Sequence, residues 1–334
     1  MIKTPAFWDN KGLISTLLLP LSGLWLGVSA LRTALARKSE ASLPVICVGN
    51  LSAGGTGKTP VVAYLYDWCV NAGLRPVILS RGYGGSATAP LWVDPQTHDA
   101  TICGDEPLML ADGRDVIVSR DRVAGANAIA TRDIHDVILM DDGLQNPFLA
   151  HDLRIGIFDG GVGVGNGRVI PAGPLRVSLA NGLADLDVAV INGDDETGLG
   201  TLLPAGVPVV RGSLRADQSI IETLGETPLL AFAGIGRPER FFVTVRRAGG
   251  NLVRWLAFAD HHAYSQHDLI KLQEDATRLG AELITTQKDW IRLPNEWRER
   301  IHCLYVALEL EDDAPLTAAV QAALADGDHP LVIG

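Results

Sequence analysis

A glycine-rich loop that ends in lysine and threonine is the strongest chemical signal in this chain. The loop covers residues 49–59 (GNLSAGGTGKT) and directly follows the apolar run 44–49. Backbone N–H groups of such a loop surround phosphate oxygens, and the N-terminus of the following helix adds partial positive charge. The strict pattern has glycine where this chain has Ser52, but Gly54 and Gly55 keep the backbone free. The loop therefore predicts a site for a phosphorylated ligand.

The same loop predicts ATP and Mg²⁺ as the groups that bind there. Lys58 would reach the β- and γ-phosphates, and Thr59 would bind Mg²⁺. A guanine-specific site would need Asn/Thr-Lys-x-Asp, whereas residues 285–289 (TTQKD) carry their lysine one position too late. We therefore expect ATP rather than GTP. The predicted ATP contacts are Ser52, Ala53, Gly54, Gly55, Thr56, Gly57, Lys58 and Thr59.

Two adjacent carboxylates follow the apolar run 137–140. Asp141 and Asp142 stand where a phosphate loop needs an acidic partner for Mg²⁺, at the end of a neighbouring strand. An ordinary strand-to-loop turn is the alternative, because Asp-Gly is common in turns. The position of the pair after the phosphate loop favours the metal role.

Two short segments would bring further charged groups to the ends of the strands. Residues 80–85 (SRGYGG) combine Arg81 with glycines that let a ligand approach the backbone. Residues 104–107 (GDEP) open a helix and would point Asp105 and Glu106 into the crevice beyond the strand ends. Capping of that helix by the two carboxylates is the alternative.

Two later segments suit proton transfer and phosphate recognition. Residues 260–262 (DHH) follow a strand, and such histidines are either structural or share a proton with a catalytic carboxylate. The glycine- and proline-rich segment 165–176 holds Arg168 and Arg176. Arginine suits the recognition of anionic phosphate, so the segment is more than a linker.

Short apolar runs that alternate with helical stretches predict an α/β fold. Runs without polar alternation indicate a mostly parallel sheet covered by helices on both faces. The expected strands are 44–49, 75–79, 116–118, 137–140, 155–159, 187–191, 229–233, 252–258 and 282–285. The expected helices are 58–72, 121–132, 238–248 and 266–279. We predict an N-terminal membrane-associating helix (1–38), a P-loop NTPase-like core domain (39–220) and a smaller C-terminal α/β domain (221–334).

Composition narrows the class of protein. The chain has 334 residues, 39 acidic and 28 basic side chains, and a net charge of −11. A hydrophobic fraction of 47% excludes disorder, and an acidic body argues against nucleic-acid binding. The four cysteines form no C-x-x-C pair, so we expect reduced thiols in a cytosolic protein.

The N-terminal segment is apolar and flanked by positive charge. Residues 12–31 carry no charge, and residues 1–38 hold five basic side chains against Asp9 alone. Trp8 and Asp9 argue against a signal peptide, whereas Pro20 and a stripe of serines weaken a membrane-spanning helix. An interfacial helix with its apolar face in lipid fits best, and a helix packed onto the protein's own core is the remaining alternative.

With these motifs in place, the chain resembles the tetraacyldisaccharide 4′-kinase (lipid A 4′-kinase) family over nearly its whole length. The resemblance rests on VGNLSAGGTGKTP (48–60), LSRGYGG (79–85), GDEP (104–107), DDGLQ (141–145), GNGRVIPAGPLR (165–176), GIGRPERFF (234–242), FADHH (258–262) and TTQKD (285–289). It implies transfer of the ATP γ-phosphoryl group to the 4′-hydroxyl of a tetraacylated glucosamine disaccharide 1-phosphate, giving lipid IVA. It also implies two α/β domains with nucleotide between them, at the cytoplasmic face of the inner membrane of Gram-negative bacteria.

The resemblance further implies roles for individual residues. Asp105 would accept the proton of the sugar hydroxyl, and His261 would support it. The implied catalytic residues are Asp105, His261, Asp142 and Arg176. The implied Mg²⁺ ligands are Thr59, Glu106 and Asp141. The implied substrate-binding residues are Arg81, Tyr83, Asn146 and Arg168, and no obligate protein partner is expected.

Departures from the family pattern leave alternatives to weigh. The family commonly has His where this chain has Asn146, and Glu-Pro where it has Val177-Ser178; Gln287 stands where Glu is usual. Because the Asn146 amide cannot take up or release a proton as histidine does, we expect an altered rate or acceptor preference. One alternative is a membrane-associated P-loop ATPase that acts on a protein partner, which the apolar N-terminus and the segment 165–176 disfavour. Another is a protein that only binds nucleotide, which Lys58 and Asp105 disfavour.

Overall fold

A computed structural model describes residues 5–325 of the chain. The predicted parts 1–38 and 221–334 each extend past this range. Residues 1–4, which include Lys3 of the basic flank, and residues 326–334 lie outside the described residues.

The secondary structure alternates between strands and helices through most of the described chain. The strands are β1 Val45–Gly49, β2 Pro76–Ser80, β3 Leu91–Trp92, β4 Val116–Val118, β5 Val137–Asp141, β6 Leu153–Asp159, β7 Val188–Asn192, β8 Val209–Ala216, β9 Leu229–Ala233, β10 Leu252–Ala257, β11 Glu282–Thr286, β12 Ile301–Leu304 and β13 Val306–Leu310. The α-helices are α1 Leu13–Leu17, α2 Leu19–Leu35, α3 Lys58–Asn71, α4 Ala100–Cys103, α5 Asp105–Leu110, α6 Arg122–Arg132, α7 Leu179–Ala184, α8 Gln218–Leu224, α9 Pro238–Arg247, α10 Gln266–Leu279, α11 Gln287–Trp290, α12 Asn295–Arg298 and α13 Ala314–Ala325.

The larger sheet contains β1, the strand that leads into the phosphate loop. Within residues 5–325 it has nine strands in the order β13-β8-β7-β6-β1-β5-β2-β4-β3, and only the edge strands β3 and β13 pair antiparallel. Ile46 and Val48 of β1 pack on the face that carries α3, and Val45 and Cys47 pack on the face that carries α6. Because both faces are covered, the central strands are apolar without alternation. The predicted α/β fold with a mostly parallel sheet is confirmed.

A smaller sheet follows the larger one in the chain. Among the described residues it has four parallel strands in the order β10-β9-β11-β12. Helix α10 covers one face through Leu269 and Leu272, and α9 covers the other face through Phe242 and Val245. This sheet brings residues 260–262 and 285–292 together at the carboxyl ends of its strands.

The end of the described chain returns to the larger sheet. Strand β13 pairs antiparallel with β8. Helix α13 buries Leu316, Val320 and Leu324 in the same hydrophobic core as the apolar side chains of α3. The predicted domain 221–334 includes residues 306–325, whereas the structure pairs β13 with β8 of the larger sheet. A short strand such as β13 has a sequence compatible with either sheet. Its place in the larger sheet follows only from its pairing with β8, which the sequence does not show. Strands β3, β8, β12 and β13 were absent from the sequence prediction.

The N-terminal segment forms two helices rather than one. Helix α1 ends at Leu17 and α2 begins at Leu19, with Pro20 in its first turn, where proline is tolerated. None of the helices between residues 5 and 325 is both long and apolar enough to cross a membrane. Ser15 and Ser22 are buried against the protein. The opposite side of the pair exposes a row of large apolar side chains: Leu13, Ile14, Leu17, Leu21, Leu24, Val28, Leu31 and Leu35.

Candidate active site

The phosphate loop lies between β1 and α3, as the sequence predicts. Gly57 has a left-handed φ of +83°, and a Cβ there would approach Asn192 Nδ2 to 2.5 Å. Glycine is therefore required at this position for conformation and for space. Helix α3 begins at Lys58, so its free N–H groups face the loop. Inside the loop, Asn50 Nδ2 donates to Thr56 Oγ1 at 3.2 Å.

The segment 165–176 holds the phosphate loop in place. Ala53 N donates to Pro174 O at 2.7 Å, and Arg176 N donates to Leu51 O at 2.7 Å. These two backbone hydrogen bonds tie the two glycine-rich segments together, although more than a hundred residues separate them. The segment therefore packs directly against the phosphate loop.

Asp142 is an ionised centre beside the loop. Its carboxylate accepts from Arg176 NH1 at 3.0 and 3.1 Å and lies 3.7 Å from Lys58 Nζ. Burial alone would raise the pKa of Asp142, but the charges of Lys58 and Arg176 outweigh burial and hold the pKa below its usual value. The Asp142 backbone has a positive φ of 51°, a conformation that aspartate and asparagine tolerate better than most residues. Lys58, Asp142 and Arg176 therefore form one connected group.

Asp141 has the opposite character. It is buried at the end of β5, where its Oδ2 accepts from Ser80 Oγ at 3.0 Å. Burial, reinforced by the nearby charge of Glu106, raises the pKa of Asp141 to about 7. Its second oxygen, Oδ1, is buried and has no hydrogen-bond partner among the described residues. A buried carboxylate oxygen without a partner, beside a second carboxylate, fits a divalent cation.

The protein side chains at the candidate metal site supply only part of the ligands that Mg²⁺ needs. Within the described part of the chain, no group of three or more His, Cys, Asp and Glu side chains is arranged to hold a metal ion. Mg²⁺ usually takes only one or two carboxylates from the protein and completes its shell with phosphate oxygens and water. The pair Asp141 and Glu106, together with the Thr59 hydroxyl on α3, is compatible with that pattern.

Asp105 connects the larger sheet to the smaller one. It begins helix α5, and its Oδ2 lies 2.7 Å from His261 Nδ1 and accepts from Arg292 NH2 at 2.5 Å. Burial would raise the pKa of Asp105, but the hydrogen bonds from His261 and Arg292 lower it well below its usual value. The predicted pairing of Asp105 with His261 is therefore present in the structure. Arg292 was missed by the sequence analysis.

A buried carboxylate fixes the direction of Arg292. Asp289 Oδ2 accepts from Gly234 N at 3.0 Å and from Thr286 Oγ1 at 2.7 Å, while Oδ1 accepts from Tyr264 OH at 3.0 Å. Arg292 NH1 lies 3.3 Å from the same Oδ1. Asp289 of the segment TTQKD therefore holds the Arg292 side chain in place. Arg292 follows Asp289 by three residues, a spacing at which side chains on one helical turn contact each other, and this spacing could have predicted the pair from sequence.

The four predicted substrate-binding residues lie in different environments. Arg81 and Tyr83 are exposed beyond the end of β2. Asn146 Oδ1 accepts from the backbone N–H groups of residues 148 and 149, which closes a turn. Arg168 NH1 donates to Ser15 Oγ at 2.9 Å and to Thr16 Oγ1 at 3.0 Å, which attaches α1 to the core. Asn146 and Arg168 thus have structural contacts, and their binding roles remain predictions.

A parallel α/β sheet with a phosphate loop, an acidic strand end and a cationic cluster defines a P-loop nucleotide-binding protein. The family model described as "Tetraacyldisaccharide-1-P 4'-kinase" (LpxK) matches residues 14–325. The chain belongs to this family, so the resemblance inferred from its motifs is confirmed.

Individual relatives agree with the family assignment over the full chain. The tetraacyldisaccharide 4′-kinase of Methylobacterium sp. (strain 4-46) is 44% identical, with 97% of this chain and 98% of the relative covered. The protein of that name from Rhodospirillum centenum is 43% identical, with 98% of each covered. The crystal structure of LpxK from Aquifex aeolicus in complex with ATP superposes with a TM-score of 0.77 at 27% identity, covering 93% of this chain and 99% of that one.

Proposed function

We propose that the protein is an ATP-dependent kinase that phosphorylates the 4′-hydroxyl of a tetraacylated glucosamine disaccharide 1-phosphate and so produces lipid IVA in lipid A biosynthesis. Family membership and the activity named for the relatives support this reaction. The observation that carries it is the meeting of Asp105 with His261 beside a phosphate loop. Glu106, the next residue after Asp105, is close enough to Asp141 to raise its pKa, so the two acidic groups face one crevice.

Asp105 is the proposed acceptor of the hydroxyl proton. Both of its hydrogen-bond donors contact Oδ2, which leaves Oδ1 without a partner among the described residues and available to the sugar hydroxyl. A carboxylate with a lowered pKa is a weak base. Phosphoryl transfer through a loose transition state needs little proton removal early in the reaction, so orientation of the hydroxyl counts for more than basicity. Asp105 therefore orients the nucleophile first and takes the proton late.

The cationic group beside the loop is the proposed stabiliser of the transferred charge. Lys58 and Arg176 both contact Asp142, which holds their charged ends at one place before nucleotide arrives. Such fixed charges stabilise developing negative charge without reorganisation during the reaction. Thr59, Glu106 and Asp141 would hold Mg²⁺, which when bound would neutralise charge on the nucleotide phosphates.

The N-terminal helices are the proposed contact with the membrane that carries the acceptor. Ser15 Oγ donates to Ala172 O at 2.5 Å and Ser22 Oγ donates to Val169 O at 2.7 Å, so these two serines face the protein. The exposed apolar row described above then points away from the core, and the basic residues Lys11, Arg37 and Lys38 flank it in the sequence. This arrangement suits an interfacial helix at an anionic bilayer, specifically the cytoplasmic face of the bacterial inner membrane.

Transfer of label from ATP to lipid tests the reaction directly. The full-length protein is incubated in detergent with γ-labelled ATP, Mg²⁺ and the disaccharide 1-phosphate, and lipid is separated from nucleotide. We expect label in the lipid fraction, and none when the acceptor already carries a 4′-phosphate. Release of labelled phosphate without any labelled lipid would reject the kinase and support a P-loop ATPase that acts on another partner.

A further inference from the structure

Lys288 lies against the catalytic histidine but has no role in the account so far. It is on the short helix α11, and its Nζ is 3.3 Å from His261 Nε2 and 3.7 Å from Asp260 Oδ1. The other ring nitrogen, Nδ1, faces Asp105. His261 is therefore contacted on both nitrogens by charged groups of opposite sign.

The donors and acceptors around His261 can be assigned from these contacts. A lysine ammonium has only donors, so the nitrogen it contacts must offer a lone pair. An ionised carboxylate has only acceptors, so the nitrogen that contacts Asp105 Oδ2 must carry hydrogen. The two contacts agree on one state of the ring: neutral, with its proton on Nδ1.

Other charged groups around the ring are consistent with this state. Arg292 NH2 lies 3.0 Å from Nδ1 because both groups donate to the same oxygen of Asp105. Asp260 Oδ1 lies 3.8 Å from Nε2 and is buried without a hydrogen-bond partner among residues 5–325. Without Lys288, the tautomer with hydrogen on Nε2 would gain Asp260 Oδ1 as an acceptor.

We propose that Lys288 is a positioning residue: by donating to Nε2 it fixes the His261 tautomer that donates Nδ1–H to Asp105, and it thereby sustains phosphoryl transfer. The proposal rests on the proposed function for its kinetic part alone. With hydrogen on Nδ1, the ring holds the Asp105 carboxylate in place to orient the sugar hydroxyl. With hydrogen on Nε2 instead, a lone pair would face that carboxylate and the ring would no longer hold it.

The state of the ring is measured first, by ¹⁵N–¹H correlation spectra of full-length protein with labelled histidine at pH 7.5. His261→Gln identifies the His261 signals. We expect one pyrrole-type nitrogen and one pyridine-type nitrogen in the wild-type protein and in Lys288→Arg, which keeps the charge and the donors. In Lys288→Met we expect a mixture of the two tautomers. A wild-type ring with hydrogen on Nε2, or a Lys288→Met ring identical to wild type, would overturn the proposal.

Kinetics then separate positioning from a merely structural role. We expect Lys288→Met to lower kcat at pH 7 by about tenfold, with the KM for ATP within twofold. Lys288→Arg should retain most of the wild-type kcat. A loss of kcat matched by a similar rise in the KM for ATP, or no loss of kcat, would contradict the proposal. If the wild-type protein itself labels no lipid, the proposed function fails, while the spectra still decide the state of His261.

Discussion

Replacement of Asp141 by asparagine gives a test of the proposed metal site that needs no substrate. Burial and the charge of Glu106 raise the pKa of Asp141 to about 7, from 3.8 for a free side chain. A pKa rise of this size corresponds to about 4 kcal/mol. Because the folded protein binds this proton more tightly than the unfolded chain, the free energy of unfolding falls as the pH rises from about 4 to about 7. At pH 8 the protein without metal bears the full cost.

The Asp141→Asn variant removes the charge and keeps the shape. Its amide oxygen still accepts from Ser80 Oγ, while its NH₂ group takes the place of the unpartnered Oδ1. An unsatisfied buried donor costs about 1–3 kcal/mol. The difference leaves the variant about 1–3 kcal/mol more stable than wild type at pH 8. At pH 4.5, where wild-type Asp141 is itself protonated, the gain should vanish.

Urea unfolding followed by tryptophan fluorescence measures this difference, in EDTA and without nucleotide, at pH values from 4.5 to 8. Asp142→Asn is the matched control, because it makes the same chemical change one residue along. The pKa of Asp142 is lowered, so its neutralisation removes a favourable interaction with Lys58 and Arg176 and should destabilise the protein at pH 8. If Asp141→Asn is no more stable than wild type at pH 8, Asp141 is not held as a strained, ionised carboxylate and the reasoning is refuted.

Three further variants test other parts of the account. Lys58→Met should weaken ATP binding about 10- to 100-fold in calorimetry, since one charge-assisted phosphate contact contributes about 1.5–3 kcal/mol; affinity within threefold of wild type would contradict the loop assignment. Leu24→Ser combined with Val28→Ser should reduce co-sedimentation with anionic vesicles about tenfold or more while ATP affinity stays unchanged; unchanged sedimentation would leave those residues without a membrane role. Val320→Ala should cost about 2 kcal/mol of stability in urea, because this side chain is fully buried; a loss below about 0.5 kcal/mol would argue against packing of α13 on the larger sheet.

The features that were predictable from sequence are those encoded locally. The phosphate loop is one continuous motif, and the apolar runs 44–49 and 137–140 identify β1 and β5 because a strand buried on both faces must be apolar throughout. Asp105 was found because GDEP opens a helix. His261 was recognised with it from the family motifs, although 156 residues separate the two in the chain.

The features that were missed depend on contacts between distant segments. Strand β13 is short, and its place in the larger sheet depends on pairing with β8. Lys288 belongs to the motif TTQKD and Arg292 lies three residues beyond it, but only the approach of the smaller sheet to α5 places them beside His261 and Asp105. Ser15 and Ser22 argue by their type against a membrane-spanning helix, but only the folded chain shows that they bind the segment 165–176. In each case the sequence shows the residue type but not the residue that it contacts.

The central claim is that Asp105, held by groups of the smaller sheet, receives the hydroxyl proton at the phosphate loop. The most direct measurement is the rate of lipid labelling by Asp105→Asn, paired with its ATP affinity. Loss of the carboxylate that orients the hydroxyl and takes its proton predicts a fall in kcat of about 10²- to 10⁴-fold, with ATP affinity within about threefold of wild type. Lipid labelling within about threefold of the wild-type rate would contradict the claim.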